Sequence, residues 1–338
     1  MDGSSRSAEH VALFRALETS RRHDRLFADP LAVRMLPRRY RVVVALSRLP
    51  AIHRSLVGYI DRRFSGGPRA SAVVRTRLID DLVTGALDGG AGQLVLLGAG
   101  FDNRAFRLPG MLGGAVAFEV DHPATQATKR RRVPGRLRGT VRFVPVDLSR
   151  DELTGALLGS GFDPAVPAVV VWEGVTNYLT AASVDATLRG LTGLLAPGSR
   201  IVFTYVDRAA LDGTGGYAGV REWHDAVRRH GEPWTFGFDP AELAGCLARL
   251  SGPSGHRLTL ALDLSARDAA VRYLAPLGRD EPAAAFYHVA AADVGPPVDA
   301  TGQTGADVGP PAGATGTAVA GTVRSGADSA EVAGAEGR

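Results

Sequence analysis

Two glycines and three acids carry the spacing of a nucleoside-binding site. Gly98 and Gly100 stand in Gly98-Ala99-Gly100-Phe101-Asp102, directly after the apolar run Gln93-Leu94-Val95-Leu96-Leu97. Gly98 permits a sharp turn, and Gly100 lets a ligand approach the backbone without meeting a Cβ. Asp121 closes a second apolar run, Val116-Ala117-Phe118, about 20 residues on, where a strand–helix–strand unit sets a carboxylate over a ribose. Asp147-Leu148 and Glu173 end two further apolar runs. Acids at three successive strand ends meet the needs of a nucleoside cation: one for the ribose hydroxyls, one near the adenine amine, one near a sulfonium or ammonium group. Taken alone, the glycines are equally a tight turn, and each acid equally a loop or cap residue; their common edge is what favours a site.

The dinucleotide form of this loop wants a third glycine at the sixth place, where this chain has Asn103. That departure argues against NAD. It favours a nucleoside without pyrophosphate, and S-adenosylmethionine (SAM) is the candidate.

These residues need strand ends to hold them. Candidate strands lie at 94–97, 115–120, 141–146, 168–172, 200–206, 257–262 and 285–291, with helical segments at 123–132, 150–158, 181–195 and 239–250. This alternation predicts an α/β fold, a parallel, doubly wound Rossmann-like sheet with helices on both faces. Helical spacing marks residues 7–20, a segment from Asp29-Pro30, 41–60 and 73–82, so residues 1–88 read as an N-terminal helical cap on a SAM-binding domain over 89–292. The arginines at 38, 39, 41, 48 and 54 read as a solvated face. Residues 207–238 break the alternation and hold the aromatic stretch Trp234-Thr235-Phe236-Gly237-Phe238, the mark of a lid. From 293 to 338 the chain is Gly, Ala, Pro, Thr and small acids, too poor in apolar area to offset its ordering entropy, and is expected to be a disordered tail.

Composition excludes several classes. With 338 residues, 45% of them hydrophobic, the chain can bury a full core, and a net charge of +4 with no basic block gives no nucleic-acid surface. Cys246 is the only cysteine, so an internal disulfide and a multi-cysteine metal site are excluded, and no metal is expected. Met1-Asp2-Gly3-Ser4-Ser5 lacks the apolar core of a signal peptide, and no run approaches the ~20 residues of a membrane span. A cytoplasmic protein with no membrane partner is expected. The oligomeric state is left open.

The chain resembles the leucine carboxyl methyltransferase family of class I SAM-dependent methyltransferases, and in particular its bacterial branch of O-methyltransferases found in actinobacteria. The resemblance runs from Ser7 to Ala291. It is carried by Arg15-Ala16-Leu17-Glu18, Asp29-Pro30, Arg75-Thr76-Arg77, Leu96-Leu97-Gly98-Ala99-Gly100-Phe101-Asp102, Phe118-Glu119-Val120-Asp121-His122-Pro123, Val146-Asp147-Leu148, Trp172-Glu173-Gly174-Val175-Thr176-Asn177-Tyr178-Leu179 and Glu232-Pro233-Trp234-Thr235. It implies that Arg75, with Arg77 as the competing assignment, pairs with the methionyl carboxylate. Gly98 and Gly100 would line the methionyl moiety, Asp121 would bind the ribose, and Asp147 with Leu148 the adenine. Glu173 would lie near the ammonium end. Glu119, two residues before Asp121, is expected on the other face of its strand and away from the ribose.

The implied reaction is methyl transfer to an oxygen of a small molecule, for instance a carboxylate of a secondary metabolite. A carboxylate needs no general base; a phenol or alcohol would, with His224 and His230 as candidates. Tyr178, Tyr205 and Trp234 are equally acceptor-pocket and core residues. No catalytic residue is assigned. The signature of amino methylation after the fourth strand, Asn or Asp then two prolines and an aromatic, is replaced by Glu173-Gly174-Val175-Thr176. A module that binds SAM without transfer and a nicotinamide-dependent oxidoreductase are the alternatives.

Overall fold

All five residues of Gln93–Leu97 and of Ala168–Trp172 are buried, which explains why these runs show no polar alternation: both faces are covered. The computed structural model describes residues 6–64, 66–107, 112–148, 151–229, 231–250 and 255–296. These belong to one compact unit, Met1–Gly305; the second unit, Ala306–Arg338, lies outside the described residues.

Four helices come first: α1 (Arg6–Ser20), α2 (Arg38–Leu46), α3 (Pro50–Arg63) and α4 (Pro68–Asp88). Then follow β1 (Gln93–Leu97), the short α5 (Arg104–Arg107), β2 (Val116–Asp121), α6 (Pro123–Arg132), β3 (Val141–Pro145), α7 (Leu153–Gly159), β4 (Ala168–Trp172), α8 (Ala181–Leu194) and β5 (Arg200–Val206). Helices α9 (Arg208–Leu211), α10 (Val220–Arg229) and α11 (Leu243–Ala248) precede β6 (Arg257–Ser265), and α12 (Ala266–Tyr273) precedes β7 (Tyr287–Gly295). Among the described residues no helix is long and apolar enough to cross a membrane.

The strand order is β3-β2-β1-β4-β5-β7-β6. The chain runs outward from β1 to β3, then returns to lay β4 on the other side of β1. That reversal opens a crevice at the carboxyl ends of β1 and β4. Successive side chains take opposite faces. Leu94, Leu96, Val169 and Val171 pack with α1, α4 and α12, whereas Val95, Leu97, Val170 and Trp172 pack with α8 and α11.

The sheet departs from the parallel expectation at one edge. Strand β7 runs antiparallel between β5 and β6, pairing Arg200↔Asp293 through Val206↔Tyr287, and β6 is antiparallel to it. An apolar run carries no strand direction, so spacing alone could not show this. Because β7 continues through Gly295, residues 293–295 expected in the tail belong to the sheet, with Asp293 paired to Arg200 at 2.6 Å. The rest of that tail, 297–338, lies outside the described residues. The helix expected over 239–250 is confined to Leu243–Ala248, since Asp239 Oδ1 accepts from Ala241 N at 2.9 Å and so caps a turn instead. The expected run over 41–60 breaks before Pro50, which starts α3, and Asp29-Pro30 leads into a 3-10 turn, Ala32–Met35.

The expectation that Glu119 takes the other face from Asp121 fails: two residues apart on β2 they share one face, opposite Phe118 and Val120, and Glu119 meets Lys129, which also donates to the Asp102 carbonyl of the glycine loop. Glu119 is buried, with Lys129 Nζ 2.8 Å from its Oε2. Burial pushes its carboxyl up from 4.5 to about 7, against the pull of Lys129. The folded chain therefore holds this proton more tightly than the unfolded chain. The associated stability is complete below the unfolded value and is lost as pH rises through the folded one. Relative to Glu119→Gln, the native chain should lose about 1–3 kcal/mol between about pH 5 and 8, read from urea unfolding at each pH. Parallel pH profiles for the two proteins would exclude Glu119 as the source.

Candidate active site

Strand β1 ends at Leu97, and the backbone turns left-handed at Gly98 (φ 67°) and again at Gly100 (φ 45°). A Cβ on Gly98 would stand 2.5 Å from Val175 Cγ2, so glycine is required there by backbone and by space. Gly100 N donates to Asp121 Oδ2, and Asp121 Oδ1 accepts from His122 N at 2.6 Å. The acid of the second strand thus closes the loop of the first. Burial pushes the Asp121 carboxyl up, while the two backbone donors pull it down.

A cavity of about 1030 Å³ opens along this edge. Gly98, Gly100, Asp121, Asp147, Leu148 and Glu173 line it from the strand ends, and Arg75 lines it from α4. Every cofactor-binding residue named from the sequence therefore meets the same cavity. Asp147 N donates to Asp151 Oδ2 at 2.7 Å, and Leu148 packs on the apolar layer beneath.

Arg75 Nε donates to Glu173 Oε1 at 2.8 Å, and its guanidinium lies 4.6 Å over the Tyr287 ring. Arg104 Nη1 donates to Glu173 Oε2 at 2.7 Å. Burial alone would raise the Glu173 carboxyl, but Arg104 and Arg75 override it and hold it well below the ordinary range. The competing Arg77 is half-exposed, pairs with Asp81 at 2.8 Å and does not line the cavity.

The aromatic candidates divide. Tyr178 and Trp234 line the cavity, and burial pushes the Tyr178 phenol up to about 12. Tyr205 does not; it is buried in the sheet, donating to Asp263 Oδ2 at 2.7 Å and stacking on His288 at 4.9 Å. His224 packs 5.7 Å from the Trp234 ring, off the cavity wall, and His230 lies outside the described residues. The 207–238 insertion supplies a wall: Trp223, Val227 and Trp234 pack with Phe286 and Tyr287 beside the cavity.

Sequence reasoning missed the buried groups behind the wall. Arg104, which no motif marks, joins Glu173, Asp80 and Asp102. Asn103, read only as a missing glycine, is buried and donates from Nδ2 to both Asp29 oxygens at 3.1 Å, while Arg15 Nε pairs with Asp29 at 3.1 Å. An amide and an arginine that meet an acid preceding a proline are a legible sign only once the fold brings 15, 29 and 103 together. Glu232 accepts from Ser7 Oγ, tying the insertion to the first turn of α1.

A family model described as leucine carboxyl methyltransferase matches residues 8–192, more than half of the chain and all the cofactor-binding residues expected from the sequence. The chain belongs to the leucine carboxyl methyltransferase family. A Mycobacterium sp. (strain KMS) protein provisionally named an S-adenosyl-L-methionine-dependent methyltransferase is 36% identical over 184 residues, 54% of this chain and 57% of that protein. The match thus spans little more than half of that relative's length. A Frankia alni protein with the same provisional name is 37% identical over 209 residues, 61% of this chain and 70% of its own length. Among solved structures, one from Thermobifida fusca YX, provisionally described as a methyltransferase, aligns with a TM-score of 0.53 at 18% identity, covering 72% of this chain and 88% of that one. That likeness speaks to the fold. Within the family match lie the glycine loop and the three acids; the insertion and β6–β7 lie beyond it.

Gly98→Ala should cost about 1–3 kcal/mol in thermal or urea unfolding, from the left-handed backbone and the Val175 clash. Gly98→Ala combined with Val175→Ala should recover the clash but not the backbone part, leaving a non-additive pair. Strict additivity would mean that Val175 does not press on this position.

Proposed function

We propose that this chain is a SAM-dependent methyltransferase acting on an oxygen of a small molecule, a carboxylate above all. What carries the reading is the convergence of the strand-end acids, the two glycines and Arg75 on one cavity. The donor chemistry fits the cofactor. Asp121 is a carboxylate for a ribose diol, held in place by Gly100 N and His122 N. Leu148 offers an apolar face to the adenine ring, and Asp147 an acceptor for its amine. Arg75 uses Nε for Glu173, which leaves its terminal nitrogens for the methionyl carboxylate. Glu173, already offset by two arginines, can still accept from an ammonium.

Bound SAM would supply a methyl group already activated by its sulfonium. The chain's task is then alignment and exclusion of water. A carboxylate acceptor would take that methyl directly with S-adenosylhomocysteine as the leaving group, so no residue of this chain would have to accept a proton. The family description, a carboxyl methyltransferase, supports such an acceptor. So does the wall, where Arg63 and Arg229 accompany Val43, Leu56, Ile60 and Trp223: cations for an acid group and apolar surface for its body. The 207–238 insertion would act as the lid over this acceptor.

Asp121→Ala should weaken SAM binding by about 1–3 kcal/mol, through loss of a charged hydrogen-bond partner, as read by titration calorimetry. Unchanged affinity would remove Asp121 from the site. Labelled SAM offered with a panel of carboxylic acids and phenols should give a labelled ester. Tight binding with no label transferred to any acceptor would instead support a binding module.

A further inference from the structure

The charge of this chain is not spread evenly. Residues 34–64 carry eight arginines, at 34, 38, 39, 41, 48, 54, 62 and 63, against one acid, Asp61, while the whole chain has a net charge of only +4. Asp61 is itself neutralised by Arg69, 2.6 Å away. All eight arginines are solvent-exposed. The stretch from the 3-10 turn before α2 through α3 is therefore basic, in a chain whose remainder is slightly acidic.

Between those arginines stand large apolar side chains. Val42 is 57% exposed, Leu46 51%, Leu49 54% and Tyr59 60%. Val42 and Leu46 are four residues apart, one helical turn, and Ile52 and Tyr59 seven apart, so each pair forms a stripe on its own helix. Isolated exposed hydrophobes need no explanation, but stripes on two successive helices, set among arginines, do. The same two helices line part of the cavity. Tyr59 and Phe64 are both exposed and line the cavity, with Tyr40, Val43 and Leu56 behind them.

We propose that the α2–α3 face docks on an anionic lipid surface, from which an apolar acid reaches the cavity past Tyr59 and Phe64. A lipid interface takes up apolar stripes without a matching pocket, while its anionic headgroups attract flanking arginines. A second copy fits less well, because two such faces would bring like charges together. The sequence led to no expected membrane partner because the arginines alone read as solvated; the exposed apolar stripes between them change that reading. Delivery of the acceptor rests on the methyltransferase reading, but docking does not, and it is measured without turnover.

Full-length protein should float with vesicles of phosphatidylcholine containing about a third phosphatidylserine, and at least about tenfold less with phosphatidylcholine alone. The attachment should fall steeply as salt shortens the screening length. Arg48→Gln with Arg54→Gln, and separately Leu46→Ser with Leu49→Ser, should each weaken it about tenfold while leaving the melting temperature unchanged, since these side chains are exposed. No flotation of the native chain, or flotation untouched by both variants, overturns the proposal. So does a dimer in light scattering that the serine variant dissolves while vesicles go unbound, or retention by an acidic carrier protein in place of vesicles. Loss of methyl transfer with flotation intact would count against the proposed function and leave the docking standing.

Discussion

A guanidinium with no solvent contact ties the helical cap to the strand-end loops. Arg104 cannot shed its proton, so it requires acids around it. It donates to Asp80 on α4 and to Glu173 after β4 at 2.8 and 2.7 Å, and it pairs with Asp102 in the glycine loop. Sheet hydrogen bonds fix the strands but not the loops beyond them. Arg104 fixes the loops after β1 and β4 to the helical cap, and Lys129 adds a bond to the Asp102 carbonyl from α6. Removing one partner of such a buried set leaves an uncompensated charge, which costs about 3–5 kcal/mol. The geometry of the cavity floor is therefore inherited from this cluster rather than from any residue that a ligand would touch.

The same cluster sets the electrostatics of the site. Glu173 is not a lone anion waiting for a cation; Arg75 and Arg104 already flank it. A zwitterion suits this end better than a simple cation would, since a carboxylate can face Arg75 while an ammonium shares Glu173. Asp121 is different. Its partners are the backbone donors of Gly100 and His122, and burial rather than a neighbouring acid raises its carboxyl. Two acids on one edge thus face different tasks, one offset by arginine and one held by peptide dipoles.

The strand ends were legible because β1 and β4 are buried throughout, which leaves an uninterrupted apolar run that stops at the turn. Asp121 was legible through its distance from the glycines. Strand direction at the far edge was not, since β7 is as apolar as a parallel strand and its neighbours are chosen by tertiary packing. Asn103 shows the limit more sharply. Spacing correctly registered that it is no glycine, but it could not register the acid it meets, 74 residues away in sequence. Arg15, Asp29 and Asn103 become one cluster only after α1 folds over the loop. For Tyr205 the sequence leaves pocket and core both open, and the structure takes the core, where it donates to Asp263 and stacks on His288.

The roof of the cavity is built to a different standard from its floor. Its seam is the contact between Ser7 in the first turn of α1 and Glu232 in the insertion, with Tyr178 O–H 3.5 Å from the same serine oxygen. Ala8 completes it from the α1 side, at 3.6 Å from where a Gly100 Cβ would stand. A hydrogen bond to a charged group contributes only about 1.5–3 kcal/mol. The Arg104 cluster and the two apolar layers contribute far more to the floor. Local opening of a protein follows its weakest contacts. The seam is thus the weaker-held part of the cavity wall, while the strand ends beneath are held by the Arg104 cluster. The strand-end acids therefore owe their positions to the floor and not to this seam.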